Sequence, residues 1–193
     1  AGRGSALTHQ VRTGVIGAGL IGARHIEIAS AEAECTLVAV ADPAPEGARL
    51  AGQGGAEHYP DYRQMLSEQA LDLAIIATPN QLHAEVAEAC AAHGVHMLVE
   101  KPIADTLEAG ARLVAAAEAA GVSVSVGHHR RFDPAVEMAY EIVSGGEIGR
   151  LVAVSAVWAA RKPDDYYEEA AWRREPGGGP ILINLIHDID CLR

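Results

Sequence analysis

The residues of this chain whose types and spacing can do chemistry fall in three places. The first is Gly17-Ala18-Gly19-Leu20-Ile21-Gly22, which follows the apolar run Val15-Ile16 and opens an amphipathic segment. In a strand, turn and helix of this kind, the first glycine lets the backbone turn. The second leaves room for a pyrophosphate, and the third lets the helix lie close to the strand. The first N–H groups of such a helix have no internal partners and sit at the positive end of its dipole, a natural seat for phosphate. Asp42 ends a second apolar run, Cys35 to Ala41, 20 residues after Gly22. That is about where an acid holds the adenosine ribose 2′-OH. The bland alternative is a βαβ unit with an incidental glycine turn. The preceding strand, the following helix and the placed acid together count against it.

The second place is Glu100-Lys101-Pro102. A lysine at the carboxyl end of a central strand is delivered to the floor of a ligand crevice, where it can stabilise negative charge developing on a substrate oxygen. Its bland alternative is a solvated strand-end lysine, and position alone leaves the two even. The third place is the C-terminal segment. There Asn184, His187, Asp188 and Cys191 recur at i, i+3, i+4 and i+7, a polar stripe on an otherwise apolar helix. Asp190 is also within helical reach of His187. A histidine near a crevice can take the proton of an alcohol as hydride leaves; a structural histidine at a domain interface is the competing reading. His128-His129 with His187, Asp188 and Asp190 raises a metal alternative. The spacings match no standard zinc pattern and no cysteine pair contributes, so no metal is expected. Trp158, Tyr166, Tyr167 and Trp172 are candidates for a substrate pocket or for core. Arg130, Arg161, Lys162 and Arg173 are candidates for pairing with an anionic substrate or for a solvated surface.

The elements that must position these residues alternate β and α. Helices are predicted from Leu20 to Ser30, from Pro43 and Pro45 to Ala51, after a cap at Asp61 with Tyr62, Met65 and Leu66 inward, and with Leu82, Val86 and Cys90 on one face up to Gly94. Another is predicted after Asp105 with Glu108 in a capping box, closed by Gly121. Strands are predicted at Ala56–Tyr59, Leu71–Ala77, Val95–Val99 and Val122–Val126, besides those bearing the glycines and Asp42. Short connections argue for a doubly wound parallel sheet in the order 3-2-1-4-5-6. Its ligand crevice would be lined by Gly17–Gly22, Asp42, Thr78–Asn80, Glu100–Pro102 and Gly127–Arg131.

Asp133-Pro134 should start a helix with Val136, Tyr140 and Val143 inward, ending at Gly145-Gly146. The pattern then changes. Leu151 to Ala159 alternates as one long strand, with Val152, Val154, Ala156 and Trp158 on one face. It would begin a different sheet, with the domain boundary near Ile148-Gly149. Ile181–Leu192 reads as a helix that needs burial all round. An unpaired strand and so apolar a helix imply that the second domain is truncated or that a partner completes it. The expected organisation is therefore a tail at 1–11, a dinucleotide-binding domain at 12–148 and the beginning of a C-terminal domain at 149–193.

Composition sets the boundaries. The net charge is −11 and 49% of residues are hydrophobic, with a single Phe. Acidity excludes nonspecific nucleic-acid binding, while local N–H dipoles can still hold an anion. No apolar run spans a membrane and no signal sequence is evident. Cys35, Cys90 and Cys191 are widely separated and read as reduced, mostly buried thiols of a cytoplasmic protein.

Taken together, these residues resemble the Gfo/Idh/MocA oxidoreductases, which include inositol, glucose and related sugar dehydrogenases. The resemblance runs from about Arg12 to Arg193. It rests on the glycine motif, Asp42, Thr78-Pro79-Asn80, Glu100-Lys101-Pro102, Gly127-His128-His129-Arg130-Arg131-Phe132-Asp133-Pro134, and Gly177-Gly178-Gly179 followed by His187-Asp188-Ile189-Asp190. The resemblance implies a Rossmann domain followed by a second α/β domain on an open sheet that carries oligomer contacts, so a homo-oligomer is expected of the full-length protein. It implies NAD or NADP, and hydride transfer to or from a secondary alcohol of a sugar, polyol or related ring. Lys101 would contact the reacting oxygen, His187 would be the acid/base, and Asn184 would join them at the substrate. The cofactor would meet Gly17, Gly19, Leu20, Ile21, Gly22, Asp42, Thr78, Pro79, Asn80, His83, Glu100, Lys101, Pro102 and Arg131. Many dehydrogenases of the family carry Asp four residues before the histidine; here that position is Ile183, with Asn184 next. Asp42 favours NAD over NADP, because a carboxylate repels a 2′-phosphate and the nearest following arginine is Arg49. A nonenzymatic dinucleotide sensor on the same fold is the alternative from another class.

Overall fold

The computed structural model describes residues 10–193. Most of the expected tail therefore lies outside the described residues, and the first strand begins at Val11. The described chain forms two compact units that divide between Val126 and Gly127.

The first unit alternates β1 (Val11–Ile16), α1 (Leu20–Ala31), β2 (Cys35–Ala41), α2 (Pro45–Gly54), β3 (Glu57–Tyr59), α3 (Tyr62–Glu68), β4 (Leu73–Ile76), α4 (His83–Ala92), β5 (His96–Val99), α5 (Leu107–Ala120) and β6 (Val124–Val126). The six strands are all parallel, in the order β3-β2-β1-β4-β5-β6, as the sequence predicts. Two apolar layers cover the sheet. One contains Val15, Val40, Ile26 and Ile75, the other Ile16, Ile76, Val86, Cys90, Val99 and Leu113. The register aligns the carboxyl ends. Ile16 pairs with both Ala41 and Ile76, and Ile76 pairs with Val99. Gly17, Asp42, Ala77 and Glu100 therefore all leave the sheet at one edge.

Several local expectations are corrected. The cap of α5 is Thr106, whose hydroxyl accepts the Ala109 N–H at 3.2 Å; Asp105 lies one residue too early to reach that turn. Asp61 caps α3 as expected, accepting from Arg63 N–H. Leu82 belongs to a short 3-10 turn, Asn80–Leu82, rather than to the helix proper. It is exposed, while Val86 and Cys90 face the core. β2 spans its apolar run in full, whereas β3, β4, β5 and β6 are shorter than theirs, because the end residues turn away to the loops.

The second unit contains a 3-10 turn, His129–Phe132, and α6 (Pro134–Ser144). After further 3-10 turns it ends in a π-helical turn, Ile181–Leu185, that runs into α7 (Ile186–Cys191). Asp133 caps α6 and Pro134 takes its first position, as predicted. The predicted inward face of α6 is not buried: Tyr140 and Val143 are exposed, and Val136 is half-buried. No element among the described residues covers it. Leu151–Ala159 forms no strand among the described residues, since a ladder needs a partner edge. The expected all-round burial of the last helix is also not seen: His187 is buried, whereas Ile181, Ile189 and Leu192 are exposed. The cysteines are all free; Cys90 is buried, Cys35 half-buried and Cys191, contrary to expectation, exposed.

Candidate active site

In the first unit, the glycine motif has the geometry its sequence implies. Gly17 has φ +94, and a Cβ there would lie 2.7 Å from the Ala77 carbonyl at the end of β4. A Cβ on Gly22 would collide with the Gly17 carbonyl oxygen, so α1 can start this close to β1 only with glycine. At Gly19 the opposite holds: a Cβ would meet nothing within 4 Å. Gly19 is also the N-cap of α1 and makes no side-chain capping bond. The turn thus opens a bare space beside unpaired helix N–H groups, which fits a pyrophosphate and needs no cationic side chain. Leu20 and Ile21, at the same helix start, are exposed.

Asp42 leaves β2 beside this turn. Its Oδ2 accepts the Ala18 N–H at 2.6 Å and its Oδ1 accepts the Ala44 N–H at 2.7 Å. The acid is therefore joined to the glycine loop itself. His58 Nε2 lies 2.9 Å from the Asp42 carbonyl oxygen. Arg49 is paired with Glu46 through two hydrogen bonds, so its guanidinium already has an anion.

The loops after β4 and β5 form the other side of the crevice. Asn80 and His83 are buried, Thr78, Pro79 and Lys101 are half-buried, and the peptide between Lys101 and Pro102 is cis. The buried Thr78 hydroxyl oxygen has no hydrogen-bond partner among the described residues, leaving donor and acceptor capacity at the predicted cofactor border. His83 Nε2 lies 2.9 Å from the Thr78 carbonyl oxygen and Nδ1 lies 2.7 Å from that of Pro102. Burial pushes His83 below the usual histidine range, against the pull of these two carbonyls. His25, on α1, donates from Nε2 to Glu100 Oε1 at 2.8 Å. Burial alone would raise the Glu100 carboxyl. The His25 hydrogen bond and charge, joined by the N–H and ammonium of Lys101, outweigh burial and hold it below its usual 4.5.

In the second unit, His187 is buried and its ring meets His129 edge to face, with centroids 4.7 Å apart. The two acids that follow it are held by the segment before α6. Arg131 makes two hydrogen bonds to Asp190, at 2.8 and 2.6 Å, and Arg130 donates to Asp188 at 3.1 Å. Asp190 also lies 3.5 Å from His128 Nδ1. The Arg131 hydrogen bond holds the Asp190 carboxyl below its ordinary value, against a smaller opposing effect of burial. Asn184 is half-buried in the π-helical turn. Arg131, predicted at the cofactor, thus has an acidic partner within its own unit. Trp158, Lys162, Tyr167 and Arg174 line a cavity of about 580 Å³ in this unit.

The sequence reading missed three relationships: His25 with Glu100, and the two arginine–aspartate pairs. His25 had a usable signal. It follows Gly22 by three residues and precedes Ile26 and Ala29, which places it on the helix face that meets the sheet. Among the described residues, no group of three His, Cys, Asp or Glu side chains is arranged to hold a metal ion, and no helix is long and apolar enough to cross a membrane.

Comparison with known proteins finds matches along most of the chain. Residues 11–128 match the family described as oxidoreductase, NAD-binding Rossmann fold, and residues 136–193 match the GFO/IDH/MocA C-terminal domain. Inositol 2-dehydrogenase 2 of Saccharopolyspora erythraea is 36% identical over 93% of this chain and 52% of its own length. The rhizopine catabolism protein MocA of Rhizobium meliloti is 31% identical over 94% of this chain and 56% of its own length. The crystal structure of the WlbA dehydrogenase from Bordetella pertussis, in complex with NADH and UDP-GlcNAcA, superposes with a TM-score of 0.87 at 31% identity. That match covers 95% of this chain and 57% of the other. The chain thus spans about half the length of the relatives it matches.

Proposed function

Because the chain belongs to the Gfo/Idh/MocA family of oxidoreductases, we propose that it supplies the NAD site and the acid/base residues of a dehydrogenase. The substrate class is a sugar, polyol or related ring bearing a secondary alcohol or ketone. The observation that carries this reading is the carboxyl edge of the sheet. There the open space at Gly19, the loop-bound Asp42 and the half-buried Lys101 follow β1, β2 and β5 at the same end of the sheet.

The N–H groups of α1 and the bare Gly19 hold a pyrophosphate. Asp42 accepts a ribose hydroxyl and disfavours a 2′-phosphate, with Arg49 occupied by Glu46. Thr78, Pro79, Asn80 and Pro102 border the cofactor, and His83 fixes that border. NAD, when bound, takes up or gives back the hydride. The Lys101 ammonium hydrogen-bonds the reacting oxygen and stabilises its negative charge. His187 takes the hydroxyl proton in oxidation and returns it in reduction, and Asn184 hydrogen-bonds a neighbouring substrate hydroxyl. Ile183 adds no carboxylate to this set, so the proton passes through the imidazole alone. Arg131 serves the site indirectly, by holding Asp190 on α7.

The test is a fluorescence titration with NADH and NADPH, followed by a screen of polyols and sugars for NAD-dependent oxidation. Saturation with NADH and turnover of a ring polyol support the reading; a chain that binds neither nucleotide refutes it.

A further inference from the structure

Lys101 sits in a turn whose two flanking residues are each held by a histidine from another element. Before it, the Glu100 carboxylate accepts from His25 on α1 at 2.8 Å and also accepts the Lys101 N–H, through its other oxygen, at 3.2 Å. After it, the Pro102 carbonyl lies 2.7 Å from His83 Nδ1, and the opposite nitrogen of the same ring reaches the Thr78 carbonyl. His83 is buried, and the His25 and Glu100 side chains are 19% and 13% exposed, so water competes weakly for these contacts.

We propose that His25 and His83 are positioning residues for Lys101, staking the turn through the residue before it and the residue after it. The arrangement refers the lysine to the cofactor site from two directions. His25 rides on the helix whose N-terminus would seat the pyrophosphate. His83 ties Pro102 to the Thr78 turn that would border the nicotinamide end. An amine must be held near its productive position to stabilise charge on a reacting oxygen, and a misplacement of about 1 Å can cost ~100-fold in rate. A flexible lysine stem cannot supply that placement unaided. The charged and titratable groups facing this cluster are His25, His83, Glu100 and Lys101. The inference rests on the proposed role of Lys101 at the reacting oxygen, but the staking itself can be measured without a substrate.

The chain has two lysines, Lys101 and Lys162, and Lys162 lies in the other compact unit. Acylation of the whole protein by a trace amine reagent, read by mass spectrometry, therefore gives Lys101 reactivity relative to an internal reference. His25→Ala and His83→Ala should each raise the Lys101 to Lys162 ratio at least about threefold, because the released turn exposes the amine. His25→Gln, which can still donate to Glu100, should stay near wild type. NADH affinity should remain within about threefold in the two His25 variants, and the far-UV circular dichroism and urea cooperativity of His83→Ala should match wild type, marking an intact fold. A ratio that is unchanged or lower in both alanine variants overturns the proposal. A separate arm compares Lys101→Ala with wild type in turnover. If that variant keeps full activity, the role assigned to Lys101 fails, while the labelling result still decides the staking.

Discussion

The Asp42 carboxylate accepts the Ala18 N–H at 2.6 Å, joining the end of β2 to the middle of the glycine turn after β1. The acid expected to select the cofactor is thus also a structural strut of the loop that would hold its phosphates. Its second oxygen is engaged too, by Ala44 N–H. Replacing Asp42 should therefore affect both affinity and selectivity. Asp42→Ala is expected to weaken NADH binding by about tenfold and to bring NADH and NADPH affinities close together. Parallel fluorescence titrations check this; an undiminished preference for NADH would show that selectivity lies elsewhere.

The glycines of the same turn should separate folding from binding. Gly22→Ala puts a methyl group against the Gly17 carbonyl, so α1 must shift; a loss of about 2–3 kcal/mol is expected in urea unfolding. Gly19→Ala adds a methyl to open space at an extended N-cap position, φ −67, that any residue adopts, and should leave the urea midpoint unchanged. It should nonetheless weaken NADH binding at least about tenfold, because the methyl occupies the space a pyrophosphate needs. Equal effects of the two changes on stability would argue that the Gly19 space is not a ligand seat.

These two predictions show what could be read in the sequence and what could not. The six-strand order was legible because each parallel strand is an apolar run, bounded by a turn and a helix start, and the connections are short. The turn at Gly17 and the close helix packing at Gly22 were legible for the same local reason. The His25–Glu100 contact was not: its partners are 75 residues apart, and only the register of β1, β4 and β5 brings α1 beside the end of β5. The arginine–aspartate pairs span 58 and 59 residues and were hidden likewise. In the second unit, periodicity gave the helix at Pro134 and its cap but not its burial, because burial depends on which element covers the face.

The two proposed chemical roles predict different losses. Lys101→Met removes the charge that stabilises the reacting oxygen and should lower kcat by about 1,000-fold. His187→Ala removes the proton shuttle and should cost about 100- to 10,000-fold, least at high pH where solvent can take the proton. Both variants should keep NADH affinity within about threefold. Steady-state kinetics on a responsive polyol, with separate NADH titrations, would reveal it. A His187 variant with unchanged kcat would return that residue to a structural role.

Acid should loosen the same edge of the sheet through Glu100. Its carboxyl is held below 4.5 in the folded chain: burial opposes this, but the His25 hydrogen bond and the Lys101 contacts prevail. A carboxylate with a depressed folded value stabilises the fold above its unfolded value, and that stabilisation is lost as the pH falls through the folded one. The unfolded chain binds the proton first, so stability must decline on going from ~pH 5 toward ~pH 3. Glu100→Gln cannot titrate, and its urea midpoint should be lower than wild type at neutral pH. Its curve against pH should be flatter over the acid window, with the two proteins converging at the acid end. A variant curve parallel to wild type throughout would mean that Glu100 contributes nothing to acid sensitivity, and that the decline belongs to other depressed carboxyls such as Asp190.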